Sequence, residues 1–141
     1  PVGVIGALCP DDAPLLGLVS VMAPAIAMGN RVILAASEPF PLAATDFYQV
    51  LDTSDVPAGV VNILTGSHAE LAPTLASHLD IDAVWSFSST DLAAEIERAS
   101  AGNLKRSWVN NAKARDWSQD HSRAFLEAAT EVKNIWIPYG E

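Results

Sequence analysis

Few residues in this chain could do acid–base, nucleophilic or metal chemistry: Cys9, the pair Asp11-Asp12, the histidines His68, His78 and His121, and the cluster Ser88-Ser89-Thr90-Asp91. A thiol works as a nucleophile only when something draws off its proton. Cys9 follows an apolar run with no cation beside it, so it reads as a small buried hydrophobe. Two adjacent carboxylates can divide acid and base roles when their environments differ. Asp11 and Asp12 have no sequence-near His or Lys to make that difference, and they read as solvated corner residues. The histidines lack the spacing of a zinc site and read as surface residues, so no metal is expected. The serine cluster has the pattern of a capping box opening a helix. Free amides at a helix start also favour anions such as a pyrophosphate, but Asp91 would oppose a second negative charge, so plain capping is the reading preferred.

These residues fall where strands end and helices begin, and one corner organises the rest. Gly29 to Glu38, GNRVILAASE, closes a long apolar helix whose Leu15, Val19, Met22 and Ile26 recur at helical spacing. Gly29 can adopt the left-handed conformation that stops a helix, and Val32, Ile33 and Leu34 then read as a strand buried on both faces. Before this helix, Val2 to Leu8 reads as a first strand. After the corner, a second helix is expected to turn Phe47, Val50 and Leu51 inward and Asp46 and Gln49 outward. Val60 to Leu64 is a third strand, a helix carries Leu71, Ala72 and Leu75, and Ala83 to Phe87 is a fourth strand. A helix with Leu92, Ile96 and Ala99 follows, and then a fifth strand within Leu104 to Val109. Strand and helix alternate with short connections, the pattern of an α/β, Rossmann-like, open and mostly parallel sheet with helices on both faces. Residues 1–141 read as a single domain, in which 110–141 is a loop, a short helix over Arg123 to Ala129 and a closing strand, Val132 to Pro138. Trp85 and Trp136 lie inside predicted strands and are assigned to core or layer positions; Trp117, in a polar loop, is the interface candidate.

Composition narrows the partners. Seventeen acidic against eight basic residues give a net charge of −9, which repels nucleic-acid backbones and anionic lipid. The apolar stretch Leu15 to Met28 is broken by Pro24 and is short of the ~20 residues a membrane span needs. Neither nucleic acid nor membrane is expected as a partner. A lone cysteine gives no reason to invoke an oxidising compartment, so the expected location is cytoplasmic. The chain begins at Pro1, which suggests part of a longer protein.

Four stretches in order resemble the coenzyme-binding domain of the aldehyde dehydrogenase superfamily: PVGVIGALCPDDAPLL, APAIAMGNRVILAASE, PAGVVNILTG and DAVWSFSSTDLAAEI. The resemblance covers most of Pro1 to Arg106 and implies a site at the carboxyl ends of the strands, with Glu38 and Ser89 as vestigial cofactor-binding residues. Its departures bear on function. The family's asparagine that donates to the oxyanion falls at Asp12, with Asp11 in place of its tryptophan. Its ribose-binding lysine falls at Ala35 and its pyrophosphate-facing glycine at Ser88. Its general-base glutamate falls at Asn110, and Cys9 does not align with its nucleophile. VKNIWIPYGE resembles the family's carboxyl-terminal strand, with only a short loop and helix before it.

The resemblance therefore implies no catalytic residue and no cofactor in this domain. It implies a degenerate, non-catalytic unit, similar to the second dehydrogenase-like unit of the tandem type known as family sixteen. The expected partner is another dehydrogenase domain of the same polypeptide or subunit, in a homo-oligomer. NAD is expected only in the parent protein, where it would serve aldehyde oxidation. The alternative is a degenerate dinucleotide-binding domain that holds NAD for regulation, supported by Glu38, whose carboxylate could accept ribose hydroxyls. A free-standing enzyme of another kind lacks a nucleophile, base and donor in one constellation.

Overall fold

Alternating apolar strands and amphipathic helices build the architecture expected of them. The computed structural model describes residues 1–119 and 121–140. Five strands, β1 (Val4–Leu8), β2 (Arg31–Ala35), β3 (Val61–Leu64), β4 (Ala83–Ser86) and β5 (Arg106–Val109), form one sheet in the order β3-β2-β1-β4-β5. Every pairing is parallel, with Ile5 opposite both Val32 and Ala83. The helices are α1 (Pro14–Ala27), α2 (Leu42–Asp52), α3 (His68–Ser77), α4 (Ala93–Ser100) and α5 (Ser122–Ala128).

Side-chain alternation along each strand divides the core in two. Ile5, Ala7, Val32 and Leu34 meet Leu18, Val21 and Ala25 of α1, and Phe125 of α5 joins that cluster. Leu8, Ala35 and Val84 meet Ala72, Leu75 and Ala76 of α3 and Ile96 of α4. The strand order reverses direction at β1, so the loops after β1 and β4 diverge there and leave a crevice.

Two polar residues tie the layers together. Buried Asn30 donates from Nδ2 to the carbonyls of Ala25 and Ala129, both at 2.9 Å, and its Oδ1 accepts the Gly3 N–H at 2.9 Å. One side chain thus joins the end of α1, the approach to β1 and the end of α5. Lys105 reaches under α3 and donates from Nζ to the carbonyls of Leu75, at 3.3 Å, and His78, at 2.5 Å, at the end of that helix, where the His78 carbonyl also accepts the Ile81 N–H. Gly29 takes φ 83°, the left-handed stop that its position requires.

Five expectations are corrected. Residues 131–140 take neither helix nor strand, so Val132 to Pro138 is not a closing strand. An apolar run gains from the extended form by pairing with a sheet edge, and the five strands pair only among themselves. Trp136 is accordingly 92% exposed instead of lying in the core. Trp117 is buried, 7% exposed, and belongs to the larger core cluster, so it is not a free interface residue. On α2 the buried stripe runs through Ala44 and Leu51 with Phe47 half-buried, and Val50 falls off it, 55% exposed. The serine cluster forms no capping box. Ser88 Oγ accepts the Thr90 N–H at 3.1 Å and Asp91 Oδ1 accepts the Ala93 N–H at 3.2 Å, two local turns that hold the loop before α4.

Candidate functional site

At the carboxyl ends of β1, β4 and β5 three loops enclose a cavity of about 230 Å³. Asp11 and Asp12 reach it from the β1 loop, Ser89 from the β4 loop, and Asn110, Lys113 and Arg115 from the loop after β5, while Phe87 and Trp117 form an apolar wall.

Asp11 is the hub of this region. Its Oδ1 accepts the Glu38 N–H at 2.9 Å, and its Oδ2 accepts the hydroxyl of Ser89 in a short hydrogen bond. It is half-buried and bridges the loops after β1, β2 and β4, a role the solvated-corner reading of Asp11 misses. Asp12, beside it, is exposed.

Glu38 is also committed internally. Its Oε1 accepts the His68 N–H at 2.7 Å, at the first residue of α3, and lies 3.8 Å from His68 Nδ1. The His68 ring is fully buried, which overturns its assignment to the surface. Its Nε2 lies 2.8 Å from the Ala36 carbonyl, which can only accept, so Nε2 carries the hydrogen. Nδ1, 2.9 Å from Ser88 Oγ, then accepts the serine hydroxyl in the neutral ring. Ser88 thus donates to His68 and accepts from Thr90, and both of its polar functions are satisfied. The turn Gly66-Ser67-His68 ends β3 beside β2, which is the one sequence signal that could have placed this histidine at the strand ends.

Arg115 is the residue that sequence reasoning missed altogether. Its guanidinium carbon lies 5.3 Å from the ring centroid of Phe87, 5.1 Å from Trp108, 5.7 Å from Trp117 and 5.4 Å from Phe125. These distances are within reach of cation–π attraction. Partial burial lowers its pKa from the ordinary arginine value, but a guanidinium stays charged. No motif marks the arrangement, because the rings come from the residue after β4, from β5, from a loop and from α5. Asn110 shapes the same loop: Nδ2 donates to the Lys113 carbonyl at 3.1 Å and Oδ1 accepts the Ala112 N–H at 3.1 Å. Asn111 and Ala112 there take left-handed φ values of 52° and 55°.

Cys9 is fully buried, and burial first, with the Asp11 charge second, pushes its thiol up to about 12. Such a thiol is inert at neutral pH. Among the described residues no group of three or more His, Cys, Asp or Glu side chains could hold a metal ion, and no helix is long and apolar enough to cross a membrane.

The aldehyde dehydrogenase family matches residues 1–112, and the chain belongs to it. Among its relatives is the NADP/NAD-dependent aldehyde dehydrogenase PuuC of Escherichia coli, 39% identical over 110 residues, which are 77% of this chain and 22% of that protein. An aldehyde dehydrogenase-like protein of Schizosaccharomyces pombe is 31% identical over 141 residues, 99% of this chain and 27% of that one, so this match reaches through the carboxyl-terminal segment. The crystal structure of PnpE from Pseudomonas sp. WBC-3 superposes with a TM-score of 0.73 at 33% identity, covering 77% of this chain and 22% of that one. The chain thus spans about a quarter or less of the length of these relatives.

The family's dinucleotide is not well served by the residues present. Both oxygens of Asp11 already accept from donors there, the Ser89 hydroxyl and the Glu38 N–H, and bring a carboxylate to the strand ends. Glu38 and Ser89, which the resemblance offers as vestigial cofactor-binding residues, are joined through Asp11, and each bonds within the protein.

Proposed function

We propose that this domain is a non-catalytic, degenerate aldehyde dehydrogenase unit with a structural role. Its partner is a dehydrogenase domain of the same polypeptide or a neighbouring subunit, as in the tandem type. The parent protein would then oxidise aldehydes with NAD in the cytoplasm, as an oligomer, although this unit does not. The observation that carries the reading is the Asp11 bridge. A fixed carboxylate occupies the strand ends where a pyrophosphate would sit, and two like charges 4 Å apart near a protein surface repel by about 4 kcal/mol. The substitutions at the reacting positions point the same way. Asp12 cannot donate to an oxyanion when ionised, and loss of one such donor costs roughly 100 to 1,000-fold in rate. Asn110 cannot act as a general base, and its amide holds the loop instead.

The exposed apolar run Val132 to Tyr139 supports the interaction role, since Val132, Ile135, Trp136 and Tyr139 are each more than four-fifths exposed. Surface of that kind on a short segment suits burial against a partner. Regulatory NAD binding is the weaker reading, because Glu38 already accepts the His68 N–H.

The test is aldehyde-dependent NADH formation by the purified chain and by the double variant Asp12→Asn, Asn110→Glu. No turnover is expected from either. Measurable turnover in the double variant would refute the reading, since it would reveal a nucleophile that this proposal denies.

A further inference from the structure

The cavity between the β1, β4 and β5 loops carries charges for which a packing role has no use. Asp11 and Asp12 supply two carboxylates, and Lys113 and Arg115 two cations. Among the described residues the ion pairs are Arg123–Glu127 and Lys133–Glu131, so none joins these four groups. Opposite charges around a small cavity attract one another. Here one group of each sign is held by the framework. Arg115 is pinned over four aromatic rings, and Asp11 is fixed by the Glu38 N–H and the Ser89 hydroxyl. The planar guanidinium makes no hydrogen bond to the described protein, which leaves its fork of N–H donors for a carboxylate.

We propose that this cavity binds a small zwitterion, an amino-acid-like molecule whose carboxylate meets Arg115 and Lys113 and whose ammonium meets Asp11 and Asp12. The charge balance selects that class. A simple anion meets two carboxylates, a simple cation meets two cations, and an apolar molecule would strip water from all four without replacing it. The size agrees, since about 230 Å³ is below the roughly 300–1,000 Å³ of sites for drug-sized ligands. Phe87 and Trp117 supply an apolar wall for the carbon stem between the two charged ends. The inference goes beyond the structural role and does not rest on it: the Asp11 charge that opposes a pyrophosphate favours an ammonium.

The test is a calorimetric titration of the chain with L-alanine and β-alanine, against propionate and propylamine as singly charged controls of similar size. One zwitterion should bind saturably, at least about tenfold tighter than either control, which corresponds to ~1.4 kcal/mol. Asp12→Asn and Lys113→Met, both at exposed positions, should each weaken that binding about tenfold without moving the unfolding midpoint. Arg115→Met should weaken it further, and the two exposed variants keep the result interpretable if that one unfolds. Failure of both zwitterions to saturate, equal binding of a control, or unchanged affinity in folded variants would each overturn the proposal. Assembly with a partner is a separate measurement, so either idea can fail alone.

Discussion

Trp117 and Trp136 sit in the same carboxyl-terminal stretch and have opposite fates. Trp117 stands among polar residues, yet it is 7% exposed, packed edge-on to Phe87 at 5.4 Å and stacked on Phe125 at 6.2 Å. Trp136 stands in the apolar run NIWIP, yet it is 92% exposed. The difference lies in what each segment can reach. The loop before α5 passes over Phe87 and Trp108 at the ends of β4 and β5, and Trp117 and Phe125 complete an aromatic layer there. The run after α5 has no such surface and pairs with no strand. Burial here follows available neighbours, and local hydrophobicity is a poor guide to it.

The sharpest way to break that comparison is to truncate both tryptophans. Trp117→Ala should cost about 3–5 kcal/mol, the usual loss for a large aromatic core side chain, measured by chemical denaturation. Trp136→Ala should stay within ~0.5 kcal/mol in the isolated chain, as exposed substitutions do, while weakening assembly of the parent protein. Equal losses would abolish the distinction, and normal assembly with Trp136→Ala would remove the interaction role of the tail.

A smaller effect is expected at the join between the two regions. Asn30→Ala removes the hydrogen bonds to Ala25, Ala129 and Gly3 and should cost about 2 kcal/mol, since it leaves the Gly3 N–H without its partner and takes one of two donors from each of the Ala25 and Ala129 carbonyls. Hydrogen exchange at α5 should rise with it, because Asn30 holds the end of that helix. Exchange confined to β1 would show that α5 is retained by its aromatic contacts alone.

Cys9 provides a pH-dependent comparison within the core. Its folded pKa is raised from 9.0 to about 12, so its contribution to stability is complete below 9.0 and is lost as pH rises through that window. Cys9→Ala should flatten the alkaline fall in stability, and the wild-type thiol should resist alkylation at pH 8 until the chain is unfolded. Rapid labelling of the native protein would contradict its burial.

The fold was legible because hydrophobic period, Gly29 and short connections all favour alternating strands and helices, and the boundaries at β1, β2 and β4 fall within a residue or two of expectation. The site was legible only where family resemblance marked it, at Asp12, Glu38, Ser88, Ser89 and Asn110. His68 and Arg115 escaped because their environments come from residues remote in sequence. Ser88 and Ala36 surround the His68 ring, and four rings from four segments surround Arg115. Asp11 escaped for a related reason, since its partners Glu38 and Ser89 stand 27 and 78 residues away. The closing strand was misjudged because an apolar run declares its need for a partner without saying that the described strands pair only among themselves.

Calorimetric titration of the chain with NAD is the decisive test of the proposal that Asp11 closes the groove to a dinucleotide. No saturable heat is expected from the wild-type chain at NAD concentrations up to the millimolar range, whereas Asp11→Asn, which removes the opposing charge, should bind measurably in that range. Submicromolar binding by the wild-type chain would contradict the claim outright.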